Sequence, residues 1–67
     1  MYARYSKIRD EKGLNDLTVA NGAGVPQSTI YDWKQRSADN ANASLSVDNL
    51  SRIAKFLGVS LEKLLED

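Results

Sequence analysis

Four polar side chains carry most of the chemistry that this chain can offer: Gln27, Ser28, Tyr31 and Asp32. On an α-helix that spacing places all four on one side. The amide of Gln27 offers both donors and an acceptor, the hydroxyls of Ser28 and Tyr31 serve either way, and the Asp32 carboxylate accepts. This is a set for reading hydrogen-bonding edges, not for driving a reaction. The chain has no His and no Cys, which removes the usual general base, the thiolate nucleophile and the common zinc ligands together. No acid pair stands in a pocket-forming context either. An enzyme is therefore not expected, and neither is a metal, a cofactor or a small-molecule ligand.

The helix that displays these residues is framed by recognisable local signals. Gly24 is the natural left-handed residue to close a preceding helix, Val25 points inward, and Pro26 fits a first helical turn, where its missing N–H costs nothing. Ile30 and Trp33, three apart, supply the buried side of the displayed helix. Before it, Asn15 and Asp16 offer capping side chains for a short helix whose inward residues are Val19, Ala20 and Ala23. Asn21 and Gly22 weaken that helix in isolation, so it depends on tertiary packing.

The rest of the chain reads as support. Tyr5 and Ile8 mark a first helix over about residues 2–12, closed by Gly13, with Tyr5 in the core. Arg4, Lys7, Arg9 and Lys12 are expected to form its solvated face, with ion pairs to Asp10 and Glu11. Residues 37–46, SADNANASLS, show no sustained period and read as an extended loop, long for so small a domain. Ser46 then caps a helix with Leu50, Ile53, Ala54 and Leu57 at spacings of three and four. Asp48 and Lys55 suit the two ends of its dipole, and Gly58 stops it. Val59 and Ser60 lead into a last helix carrying Leu61, Leu64 and Leu65. The expectation is a single all-α domain, residues 1–67, of five short helices.

Nine basic and nine acidic residues cancel, which argues against an indiscriminate polyanion binder. Their distribution is uneven: six basic against four acidic residues through Arg36, then three against five. One face toward phosphate is thereby permitted. The charged N-terminus has no apolar stretch, so neither a signal peptide nor a membrane span is expected, and the absence of Cys suits a reducing cytoplasm.

A helix, a short turn with Gly and a second helix opening on polar side chains form a helix-turn-helix, a motif whose second helix reads base edges in the major groove with its N-terminal end. The segment LNDLTVANGAGVPQSTIYDWK followed by SVDNLSRIAKFLGVSLEKLL resembles the Cro and lambda-repressor type of domain, often called Xre-like. The matching positions are Leu14, Val19, Ala20, Ala23, Gly24, Val25, Ser28, Thr29, Ile30 and Trp33, then Leu50, Ile53, Ala54, Leu57, Gly58, Val59, Ser60 and Leu64.

The resemblance implies a compact five-helix, lambda-repressor-like domain. Its function would be that of a sequence-specific transcriptional regulator of the phage or mobile-element repressor kind, binding double-stranded operator DNA as a homodimer with the third helix in the major groove. On matching positions, Gln27, Ser28, Tyr31 and Asp32 would contact bases. Gln can bond both amide atoms to an adenine edge and Asp can accept from cytosine. Thr29, Lys34 and Arg36 would meet phosphates. Two departures stand out. Asp16 occupies the place of a commonly phosphate-contacting Gln and would repel a phosphate there. The Gly that commonly ends the third helix is missing, so the helix runs on or the loop adds contacts. With no separate oligomerisation domain in view, Leu61, Leu64 and Leu65 could form a two-fold interface. The competing reading is a protein-interaction module, antitoxin-like or adaptor, on the same scaffold.

Overall fold

A computed structural model of the chain describes residues 1–65; Glu66 and Asp67, the end of the expected 1–67 domain, lie outside the described residues. Five helices follow in order: α1 (Tyr2–Glu11), α2 (Asp16–Ala23), α3 (Gln27–Asp39), α4 (Val47–Leu57) and α5 (Leu61–Leu65). There is no strand among the described residues, so the all-α, five-helix expectation holds.

The caps anticipated from the sequence close three of the five helix N-termini. Asn15 accepts from the Thr18 N–H at 2.8 Å, Ser46 from the Asn49 N–H at 3.2 Å and Ser60 from the Lys63 N–H at 3.2 Å, each satisfying an orphan donor of a first turn. α3 corrects the expected loop boundary. It continues through Ser37, Ala38 and Asp39, because no Gly interrupts it and an Asp32–Arg36 pair one turn apart supports its later turns. The connection proper is residues 40–46, with Asn40 in extended conformation and its side chain accepting from the Asn42 N–H at 3.0 Å.

That connection is pinned to the body of the domain. The Trp33 indole N–H donates to the Ala43 carbonyl at 2.8 Å and Arg36 to the Ser44 carbonyl at 3.1 Å. The Met1 ammonium donates to the Ala41 carbonyl at 3.1 Å. Trp33 is fully buried, with Tyr2 edge-on at 5.2 Å and Tyr5 tilted at the same separation, favourable arrangements for aromatic quadrupoles. Ile30, Val19, Ile53 and Leu64 complete the centre, each worth about 1.5–3 kcal/mol of burial.

Gly22, anticipated only as a weak helix former, has a packing role. A Cβ there would fall well inside van der Waals contact with Cε1, Cζ and Cδ1 of Phe56 on α4. The missing side chain lets the Phe56 ring lie against the α2 backbone.

Candidate nucleic-acid interface

The turn between α2 and α3 takes its shape from Gly24, whose φ of 73° lies in the left-handed region that side chains other than Gly rarely adopt. The N–H groups of Gly24 and Val25 both donate to the Ala20 carbonyl at 3.0 Å, which closes α2. Val25 is buried, Pro26 sits at φ −58°, and α3 begins at Gln27. No side chain caps the start of α3, so its first turn has orphan N–H donors and the positive end of the helix dipole to offer an anion.

Ile30 and Trp33 fix the rotation of α3 by burying themselves completely. As a direct consequence, Gln27, Ser28, Tyr31 and Asp32 are all exposed on the side away from the core. Tyr31 leaves 62% of its surface open, so its ring and hydroxyl are available to a partner. The structure thus brings the four residues expected to contact bases onto one open face.

The residues assigned to phosphate are less uniform. Lys34 is exposed and forms no ion pair among the described residues, whereas Thr29 is only half-exposed at the edge of the face. Arg36 is exposed but occupied: its Nε contacts Asp32 at 2.8 Å and its Nη2 the Ser44 carbonyl. A guanidinium carries five N–H donors, so these two bonds leave others for a phosphate. The same pair offsets the Asp32 charge on a face that would otherwise present a bare carboxylate.

Asp16 is turned away from any ligand at the start of α2. Its oxygens accept from Tyr2 Oη at 2.7 Å, Tyr5 Oη at 2.6 Å and Arg9 Nη1 at 2.6 Å. Burial alone would raise its carboxyl pKa, but the hydrogen bonds from Tyr5, Tyr2 and Arg9 outweigh burial and hold it below the usual carboxylate range. The repulsion expected at this position is reduced by Arg9, which is shared with Asp10. Arg9 itself corrects the expectation of a solvated α1 face: its side chain is 18% exposed and bridges Asp10 and Asp16. This clamp was legible in one respect, since Tyr2, Tyr5 and Arg9 share a helix face, but their common partner across the turn has no local signature.

Among the leucines expected at a two-fold interface, Leu64 is buried in the core and has no surface to offer. Leu61 is half-buried, and Leu65 leaves 47% exposed.

No helix among the described residues is long and apolar enough to cross a membrane. The helix-turn-helix family matches residues 6–64, spanning the motif and the α4–α5 support behind it. The chain is also similar to the cryptic phage CTXphi transcriptional repressor RstR of Vibrio cholerae, at 35% identity over 65 residues, which is 92% of this chain and 54% of that protein. It thus spans about half the length of that relative. No solved structure matches it.

Proposed function

Because the chain belongs to the helix-turn-helix family, we propose that it is a sequence-specific, duplex-DNA-binding transcriptional regulator of the phage-repressor kind, with α3 in the major groove. The observation that carries this reading is the open face of α3. Gly24, Val25, Pro26, Ile30 and Trp33 are accounted for as turn, anchor, helix start and core, while Gln27, Ser28 and Tyr31 have no comparable obligation to the fold and Asp32 only its exposed tie to Arg36.

In this reading Gln27 and Ser28 meet base edges first, Tyr31 and Asp32 lie further along, and Thr29, Lys34 and Arg36 fix the register on phosphates. Regulation follows from occupancy of a promoter by a molecule with no reaction to perform. A single domain of this kind covers roughly 600–1,000 Å², so useful affinity calls for two copies. The domain measures 27 × 23 × 23 Å, and half-sites one helical turn apart are separated by about 34 Å. Two copies therefore fit side by side on one face of the duplex, with Leu65 and the edge of Leu61 as the apolar surface for a contact between them. A reducing cytoplasm, where such DNA resides, suits a chain without Cys.

Binding to duplexes selected from a random pool, measured against salt, tests this. One sequence should bind more tightly than random DNA, with affinity falling steeply as salt rises. Gln27→Ala should change the preferred sequence, and Lys34→Ala, which breaks no ion pair among the described residues, should weaken all sequences alike. Equal, negligible binding to every duplex would leave the scaffold as a protein-interaction module and end the proposal. Sedimentation on a duplex with two half-sites checks the dimer, and one protein per duplex counts against it.

A further inference from the structure

A groove of about 740 Å³ opens between the start of α1 and the last turns of α3, lined by Met1, Tyr2, Ala3, Arg4, Lys7, Lys34, Ser37, Ala38, Ala41 and Asn42. Its charged groups are all cationic: the Met1 ammonium, Arg4, Lys7 and Lys34. No described carboxylate lines it, in a chain whose charges sum to zero. Arg4 is held in place by donating to the Lys63 carbonyl at 3.3 Å. Lys7 and Lys34 are exposed and form no ion pair among the described residues. The Ser37 hydroxyl, which also lines the groove, is buried without a hydrogen-bond partner.

The position of this groove along α3 says what it meets. Gln27, Tyr31, Lys34 and Ala38 recur at spacings of four, three and four, so they form one stripe along the helix. Its first half belongs to the base-reading face and its second half lines the groove. The thirteen residues of α3 span about 20 Å at the usual helical rise, while the major groove is about 12 Å wide. A helix that inserts its N-terminal end must therefore carry its C-terminal turns past the sugar-phosphate wall. The turn that α3 adds beyond Arg36 supplies Ser37 and Ala38 at that place.

We infer that this groove is a second phosphate-binding strip, in which Lys7 on α1 acts with Lys34 on α3 to seat the DNA backbone beyond the base-reading end. The inference rests on the proposed docking of α3 and adds α1 to it. The ligand is the phosphodiester chain of the same duplex, since the cationic rim continues the stripe that faces the bases.

Lys7→Gln isolates the claim, because Lys7 is exposed on α1 and has no part in the base-reading face. With a selected duplex, the slope of log affinity against log salt should fall by about 0.9. That is about a threefold smaller loss of affinity between 50 and 200 mM salt. Sequence preference and thermal midpoint should stay as in the parent. Lys55→Gln, outside the groove, controls for any loss of positive charge and should leave the slope closer to that of the parent. If the parent binds a selected duplex and Lys7→Gln keeps the full slope, the strip is wrong while the docking of α3 stands. If the parent prefers no duplex, the docking fails first. Adding a mononucleotide to the complex completes the test: displacement of the duplex at concentrations too low to screen charge would assign the groove to a free phosphorylated ligand and overturn the inference.

Discussion

Removing the Asp16 carboxylate should cost this domain a large part of its stability, although the residue sits at the edge of the motif. Asp16→Ala deletes the common acceptor of Tyr2, Tyr5 and Arg9, at 2.7, 2.6 and 2.6 Å. Hydrogen bonds to a charged group contribute about 1.5–3 kcal/mol each, and an orphaned buried hydroxyl costs about 1–3 kcal/mol. The terms do not add, because the partly exposed Tyr2 and Arg9 reach some water, and Arg9 keeps Asp10, while Tyr5, fully buried, recovers none. Loss of an acidic group from the first turn of α2 contributes about 0.3–1 kcal/mol more. A net loss of about 3 kcal/mol follows, and in a domain of this size that lowers the thermal midpoint by roughly 12–24 °C.

Thermal and urea unfolding of Asp16→Ala, Tyr5→Phe and the double variant measure the coupling directly. Tyr5→Phe leaves Asp16 two donors and should cost about 1 kcal/mol. The double variant should then be less damaged than the sum, by at least about 1 kcal/mol. Strict additivity would mean that the clamp carries no mutual energy, and the reasoning would fail. Asp16→Gln separates stability from recognition. It should lower the thermal midpoint in the same direction while raising non-specific DNA affinity, because Arg9 then has only Asp10 to offset its charge and the cluster loses one negative charge.

The remaining expectations concern packing and pH. Gly22→Ala should destabilise by about 1 kcal/mol despite the higher helix propensity of Ala, since the new methyl displaces the Phe56 ring; in a Phe56→Ala background the sign should reverse, to a gain of about 1 kcal/mol. Urea midpoints of the four proteins read this, and the same sign in both backgrounds would refute it. The phenols of Tyr5 and Tyr2 are pushed up, first by burial and then by the hydrogen bond to Asp16. Folded tyrosines thus hold protons that the unfolded chain releases from about pH 10 upward, so the stability is fully present below that pH and declines above it. Urea midpoints between pH 8 and 11 should show the decline, and Tyr5→Phe should flatten it.

What could be read in advance follows the range of the physics involved. Leu50, Ile53, Ala54 and Leu57 announce α4 because helical periodicity is a local property, and all four are buried. The caps at Asn15, Ser46 and Ser60 are local as well, as is the turn at Gly24. Ile30 and Trp33 even fix the open face of α3, since burying two residues settles the rotation of the helix. The extent of α3 was less legible. Ser, Ala, Asp and Asn tolerate a loop or a helix end, and the choice depends on Arg36 reaching both Asp32 and the Ser44 carbonyl. Asp16 and Gly22 were legible only as oddities, one a charge in an unusual place and the other a poor helix former. Their reasons lie in Tyr2, Tyr5 and Arg9 across one turn and in Phe56 on another helix. Leu64 shared its apolar character with Leu65, and only the seating of α5 separates the buried residue from the exposed one.

The division of labour between the two kinds of cation lets a neutral chain present local positive charge. Among the described residues Arg9, Arg36 and Arg52 are engaged with Asp10, Asp16, Asp32 and Asp48, and Arg4 is bonded to a backbone carbonyl. A planar guanidinium fork matches a carboxylate and holds it in one geometry, so arginine suits these internal ties. They offset acidic charge within the molecule and leave the lysines, compact point charges on flexible stems, without ion pairs among the described residues. The local field on the groove side is then set by Lys7 and Lys34 more than by the formal sum of charges. Long-range attraction stays modest because the total is zero, while local attraction beside α3 does not. In the proposed complex, discrimination between sequences therefore rests on Gln27, Ser28, Tyr31 and the Arg36-paired Asp32, and salt sensitivity rests on Lys7 and Lys34 together with Arg36.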